Sequence, residues 1–506
     1  MTGTTSFSGY DRASLTPTVV HIGPGNFHRA HQAVYCDTVL RTGARSGAVW
    51  AISLRSAKVR DALACAGFVY HLVERAQAPD GESQGVRPIG ALLGVDVAAQ
   101  NVERALARLA DPAVTVATVT VTEHGYCAVH PAGPLDPTRA EVAHDLRHPG
   151  SPRSLPGLLL EALVRRRAAG VAPFTVASCD NLPSNGLAAS RVVLDLAECR
   201  DPRLAEWVRS NVAFPSSMVD RMVPATTDDE LAGLRRAGIT DHLPVVTEPF
   251  SQWVLEDVFP AGRPQWERAG VELVSDVGLH EQAKLRILNA AHSALAYWGL
   301  LAGHRLIWQA VADPALLAAT RDLLAEILPT VAAPPGWDLP AYAEQVLRRF
   351  ANSALPYTTA KVAEDGSQKL PVRIVPTVRA LLATGAPATH SAQLLAAWAA
   401  CLAGPRAGDL AVRDAVMRLA AHGRSAPTSG GPANGTTMPP DFAVDRLMNL
   451  PGFFDPADPR EQDFVKQVRR RAATLWISDI RIALALRDGN PADSPGPTYI
   501  VGPRAC

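Results

Sequence analysis

The chain has 506 residues, 49 basic and 49 acidic side chains, and 47% hydrophobic residues. A formal charge of zero argues against the basic face of a nucleic-acid binder, and no apolar run reaches the roughly 18 residues that span a bilayer. The length suggests about two to four domains at roughly 150 residues each. The first ten residues carry neither a basic nor an apolar stretch, so no secretory leader is expected. Seven cysteines (Cys36, Cys65, Cys127, Cys179, Cys199, Cys401 and Cys506) are odd in number and lack metal-type Cys-x-x-Cys spacing, which suits reduced thiols in a cytoplasmic protein.

In chain order, residues 17–22 form a short apolar run and residues 27–40 have helical length. Further strands are expected at 48–53, 69–73, 114–122 and 174–179, with a turn at Asn185-Gly186 and a helix towards Cys199. Residues 245–247 and 271–274 add strand candidates. Strands separated by helix-length pieces predict an α/β unit with a mainly parallel sheet over 1–279. From residue 280 the pattern changes. Ala/Leu-rich stretches at 281–301, 314–328, 341–350 and 391–402 repeat at helical spacing, so 280–506 reads as a mostly α-helical domain. Residues 423–441, rich in Gly, Pro, Ser and Thr, read as a mobile surface loop.

Gly23-Pro24-Gly25-Asn26-Phe27-His28 stands directly after the first strand and before a helix. A dinucleotide fold needs a glycine for the tight turn and another where backbone meets pyrophosphate. Gly23 and Gly25 meet that need, with Asn26 and Phe27 opening the helix. His28 occupies the usual third glycine position, so a plain turn remains an alternative. After the second strand the chain runs Ser53-Leu54-Arg55-Ser56-Ala57-Lys58, with no carboxylate for a ribose diol. Arg55 and Lys58 are either solvated loop charges or partners for a 2′-phosphate.

Lysine is rare: 44 Arg stand against five Lys, at 58, 284, 361, 369 and 466. Arg is not deprotonated in proteins, so an amine that exchanges protons must be Lys. Lys284 sits in Glu281-Gln282-Ala283-Lys284-Leu285-Arg286-Ile287-Leu288-Asn289-Ala290-Ala291-His292. At about 100° per residue on an α-helix, His292 lies about 80° and Asn289 about 140° around from Lys284. The chemistry that fits is alcohol oxidation by hydride transfer, with a base to take the hydroxyl proton. A Lys of pKa about 10.4 is too basic in water; burial and a neighbouring cation, for which Arg286 is a candidate, lower it. Asn289, and Asn181 after the 174–179 strand, are placed to hold the developing alkoxide. No cluster of Cys and His calls for zinc.

These segments join Thr120-Val121-Thr122-Glu123-His124-Gly125, Ser178-Cys179-Asp180-Asn181, Met218-Val219-Asp220-Arg221, Glu248-Pro249-Phe250-Ser251 and Asp365-Gly366-Ser367-Gln368-Lys369 in one collinear order. So arranged, the chain resembles the polyol-specific long-chain dehydrogenases, the family of mannitol 2-dehydrogenase and fructuronate reductase. The resemblance implies a Rossmann-type N-terminal domain, a helical C-terminal domain, NAD as cofactor, no metal, and a monomer. It implies that Lys284 is the general base and that Asn181 and Asn289 stabilise the alkoxide. It makes His292 and Asp220 orient the sugar or carry its proton, with Lys369 on substrate hydroxyls.

Four departures matter. Lys361 stands where mannitol enzymes have Arg, in reach of the substrate's far end; Asn352-Ser353 replaces Asn-Pro; Ala290 replaces Gly; and Ala57-Lys58 replaces an acidic pair, which opens acceptance of NADP. Three functions follow: a hexitol–ketohexose oxidoreductase, a uronate reductase whose carboxylate Lys361 would meet, and a non-catalytic sugar- or nucleotide-binding protein.

Overall fold

A computed structural model describes residues 7–78, 81–130, 132–403, 440–450, 452–477 and 479–485. The loop expected at 423–441 lies outside these residues up to 439, as does Cys506. The chain forms two compact units, Met1–Glu281 and Gln282–Cys506.

The strands described in the first unit are β1 (Val19–Ile22), β2 (Val49–Ser53), β3 (Tyr70–Ala78), β4 (Gly81–Ile89), β5 (Leu92–Val97), β6 (Val116–Val119), β7 (Thr175–Ser178), β8 (Ser217–Asp220), β9 (Val245–Thr247), β10 (Gln252–Glu256) and β11 (Glu272–Val274). Five of them make one parallel sheet in the order β5-β2-β1-β6-β7. Side chains alternate along each strand, so each face of this sheet carries its own core. Val20, Ile22, Ala117 and Val119 pack with the helices Val102–Ala110 and Leu155–Ala168. Val19, Ala51 and Val116 pack with Gln32–Arg41 on the other side. Strand order reverses between β1 and β6, which is where open α/β sheets bind ligands.

The Rossmann-type sheet is as expected, but its membership is not. The run at 69–73 is the start of β3, which belongs to a separate sheet ordered β4-β3-β9. The third strand of the parallel sheet is β5, whose Gly94 and Asp96 interrupt the apolar run and hide it from a periodicity reading. Both have structural reasons. A Cβ on Gly94 would lie 2.5 Å from the Trp50 ring, and Asp96 accepts from Trp50 Nε1 at 2.7 Å. The helix expected at 27–40 is two helices, Asn26–Ala30 and Gln32–Arg41, parted at His31 with φ −123° and ψ −90°. Its ring Nε2 lies 2.8 Å from the Gln252 carbonyl of β10.

The second unit is mostly helical in its described residues, with one isolated β-bridge between Leu306 and Thr358. Ala290–Ala302 is apolar apart from His292 and Ser293 near its start, and buried at Ala290, Ala294, Leu295 and Trp298, the mark of a central helix. Pro314–Ile327 and Leu339–Phe350 each begin with an Asp cap, Asp313 and Asp338, and a proline in the first turn, where proline costs no hydrogen bond. No helix among the described residues is long and apolar enough to cross a membrane.

Candidate active site

In the first unit, the chain leaves β1 through Gly23 with φ 97°, and a Cβ there would lie 2.0 Å from the Thr120 carbonyl oxygen. Only glycine allows that approach. Gly25 differs: its φ is −73°, and an added Cβ would meet nothing nearer than the Gly23 carbonyl oxygen at 3.9 Å. The fold does not itself require glycine at 25. It leaves bare backbone at the switch point, a cradle of the kind a pyrophosphate fits. Asn26 Oδ1 accepts from buried Arg29 at 2.6 Å, and Phe27 stacks on His31 with ring centroids 5.0 Å apart. Under the turn, His21 and His28 stack at 3.4 Å. Burial drives His21 down to about 3 and His28 well below the usual imidazole range, so both rings are neutral.

Asp180 ties β6 to β7. Its Oδ1 accepts from the Thr122 N–H at 2.8 Å, and Oδ2 from the Val121 N–H at 3.1 Å and the Tyr126 hydroxyl at 2.9 Å. Thr122 needs this hold, because it is β-branched and left-handed at φ 64°. Burial pushes the Asp180 carboxyl up to about 6 against the pull of those three donors. Asn181 follows, exposed, at the carboxyl edge of the sheet.

The turn expected at Asn185-Gly186 is instead the first turn of the helix Asn185–Arg200. Asn185 Nδ2 donates to the Asp180 and Ser217 carbonyls, both at 2.8 Å, and its Oδ1 accepts from the Ser217 N–H. A Cβ on Gly186 would sit 2.4 Å from the Phe214 carbonyl oxygen, so close packing selects this glycine. Asn185 thereby fixes the Asn181 loop to β8, which ends at buried Asp220. Arg55 is exposed and pairs with Glu141 at 3.4 Å, while Lys58 is exposed at the start of Lys58–Ala64.

In the second unit the continuous α-helix expected at 281–301 is interrupted. Lys284–Asn289 is a π-helical stretch with α-helix on both sides. Its i to i+5 hydrogen bonds widen the turn, so Lys284 and Asn289 lie closer to one face than the about 140° of a regular α-helix. Both are buried, at 7% and 6% exposure. Asn289 Nδ2 is buried with no hydrogen-bond partner among the described residues. The Asn289 carbonyl accepts from Arg373 at 3.2 Å, and Arg373 also donates to Ser293 Oγ at 2.9 Å. His292, one turn on, stacks on Phe350 at 4.6 Å.

Arg286 is buried two residues from Lys284. Its guanidinium donates to the Thr330 carbonyl and hydroxyl and to Thr377 Oγ1, as a clamp between helices. Lys369 Nζ donates to the Glu364 carbonyl at 2.5 Å, and burial, helped by Arg373, brings its ammonium down to about 8. Lys361 is exposed and paired with Glu364 at 2.5 Å. Gly366 has no room for a side chain, with Trp398 Nε1 2.3 Å and the Tyr297 hydroxyl 2.5 Å from a Cβ. Among the described residues, no group of three or more His, Cys, Asp or Glu is placed to hold a metal ion.

Residues 17–268 match the model of the mannitol dehydrogenase Rossmann domain, and residues 276–430 that of the mannitol dehydrogenase C-terminal domain. The chain belongs to the mannitol dehydrogenase family. It is 41% identical to a mannitol 2-dehydrogenase of Cereibacter sphaeroides over 79% of this chain and 83% of that protein. It is 40% identical to the D-mannonate oxidoreductase of Escherichia coli K12 over 77% and 80% of the two chains. The solved structure of the Pseudomonas fluorescens mannitol 2-dehydrogenase ternary complex with NAD and D-mannitol superposes with a TM-score of 0.79 at 34% identity, covering 94% of this chain and 95% of that one. As a mannitol dehydrogenase family member, the protein is an oxidoreductase acting on CH–OH groups.

Reading residue types missed Asp180 and Asn185 as organisers of the Rossmann unit. Asp180 carried a signal, a carboxylate two residues after a short, fully buried strand. Asn185 did not, because Asn-Gly is the commonest of turn pairs.

Proposed function

We propose that this family member is a nicotinamide-dependent, metal-independent dehydrogenase that interconverts a sugar alcohol and its ketose, mannitol and fructose in the first instance, with Lys284 as general base. The observation that carries the reading is that Lys284 and Asn289 are both buried on one π-helical stretch, where the Asn289 amide donor has no partner among the described residues. A buried donor without an acceptor is costly. An alkoxide oxygen would satisfy it as the charge develops.

The neutral Lys284 amine takes the hydroxyl proton while the carbinol C–H electron pair leaves with its hydrogen as hydride. A bound nicotinamide dinucleotide supplies the hydride acceptor, with Gly23, Gly25, Asn26 and Phe27 as the residues to hold it. Asn289 and Asn181 donate to the oxygen. His292 and Asp220 orient the sugar or pass its proton on, and Lys369 meets a substrate hydroxyl. The preferred cofactor is NAD, with NADP also accepted. The protein works as a cytoplasmic monomer.

A sugar-acid substrate is the second reading. Similarity to a D-mannonate oxidoreductase supports it, and so does the exposed ammonium of Lys361, a cation for a carboxylate. One panel decides: absorbance at 340 nm with hexitols, ketohexoses, aldonates and uronates, with and without a chelator. Turnover of mannitol and fructose above the sugar acids, indifferent to chelation, supports the first reading. Preference for the acids, abolished in Lys361→Ala, supports the second, and turnover restored only by added zinc contradicts both.

A further inference from the structure

A cleft of about 840 Å³ opens at the carboxyl ends of β2 and β5, one strand away from the glycine turn. Small-molecule sites commonly span about 300–1,000 Å³. Leu54, Ala98 and Leu158 give it an apolar wall, and Arg55, Arg139 and Glu141 give it a charged one. Glu141 comes from the helix Ala140–Arg147, which follows β6 in the chain. The carboxylate that the β2 loop lacks therefore reaches that loop from another element.

Arg153 lines the cleft as well; Arg55, Arg139 and Glu141 form one unit. Arg55 and Arg139 both approach the same Glu141 oxygen, at 3.4 and 3.3 Å. Two guanidinium groups on one carboxylate oxygen leave a positive charge in excess and unused donors on each fork. Arg139 is 28% exposed and Arg55 78%, so a ligand in the cleft can reach both. Lys58, the other cation near the β2 loop, is not among the residues that wall the cleft.

A Rossmann-type fold holds the adenosine half of its dinucleotide at this edge; we propose that Arg55 and Arg139 turn from Glu141 to a 2′-phosphate when one is present, making Arg139 rather than Lys58 the second cation that admits NADP(H). The inference rests on the dinucleotide reading given above. A phosphate of charge about −1.5 to −2 draws both forks more strongly than a single carboxylate does. When the ribose is unphosphorylated, Glu141 keeps both arginines and is itself an acceptor for the ribose hydroxyls. One triad then serves both cofactors, with Glu141 weighing against the phosphate.

Calorimetric titration of the full chain with AMP and with adenosine 2′,5′-bisphosphate tests this, alongside the kcat/KM ratio for NADP(H) and NAD(H). Wild type is expected to bind both ligands, AMP at least as tightly as the bisphosphate. Arg139→Ala should weaken the bisphosphate by at least about tenfold, the scale of a lost charged hydrogen bond, and leave AMP nearly unchanged. Arg139→Lys should lose less, since it keeps a point charge without the fork, and it serves if the alanine variant folds poorly. Glu141→Gln should shift preference towards the bisphosphate, and Lys58→Ala should leave the ratio where it was. Equal losses for both ligands in the Arg139 variants, or a shifted ratio in Lys58→Ala, overturns the inference while the dinucleotide reading stands. If wild type binds neither ligand and turns over with neither cofactor, that reading falls as well.

Discussion

Asn289 is the residue whose chemistry is most exposed to test. Its buried amide donor points to an oxygen the free protein does not supply. Asn289→Ala is expected to lower kcat by about 10²–10³, the usual cost of one oxyanion donor, with substrate KM changed far less; a loss confined to KM would make Asn289 a binding group only. Lys369 gives a prediction in pH. Its folded pKa of about 8 lies below the ordinary 10.5 because burial disfavours the ammonium. Below about 8 both folded and unfolded chains hold the proton, and the burial cost is present in full. Between the two values the unfolded chain binds more protons, so stability rises with pH across that window. In urea melts, wild type should therefore gain on Lys369→Met as pH rises from about 7 to 10. A constant difference would mean that Lys369 titrates normally. At this scale the sequence was informative in part: scarcity of lysine drew attention to all five, the segment shared with Asn289 and His292 picked out Lys284, family resemblance alone marked Lys369, and no motif marked Glu141, whose role depends on a fold-level approach.

The elements explain why some residues were legible and others were not. The glycine turn was readable because its spacing after an apolar strand is local. The π-helical stretch was not, since Lys284 to Asn289 has an ordinary helical composition and the extra residue per turn is set by packing. Arg286 on Thr330 and Thr377, and Arg373 on the Asn289 carbonyl, brace that stretch from other helices. Likewise β5 was hidden by Gly94 and Asp96, which only the packed Trp50 explains. The two glycines of the turn separate fold from function. Gly23→Ala forces a Cβ to 2.0 Å from a carbonyl oxygen, so thermal stability should fall, by more than the about 1–3 kcal/mol of a strained backbone alone. Gly25→Ala has room and an ordinary φ, so its melting temperature should hold or rise slightly while dinucleotide affinity drops. Unchanged affinity in Gly25→Ala would remove the cradle from the account.

Over the whole molecule, the change from alternating strands to Ala/Leu-rich helices is legible in the sequence pattern alone. The parallel sheet follows from strands apolar on both faces, and the helical unit from repeats too long for strands. Composition does not carry the identity of the substrate, because hydroxyl-rich ligands are read by a few side chains on separate elements. What ties the units to one chemistry is the assignment of Lys284 as the base. The most direct test is single-turnover hydride transfer, followed at 340 nm with mannitol and saturating dinucleotide, in wild type and Lys284→Ala. The account predicts that the variant binds dinucleotide normally and transfers hydride about 10²–10⁴ times more slowly. A near-normal rate in Lys284→Ala would contradict it.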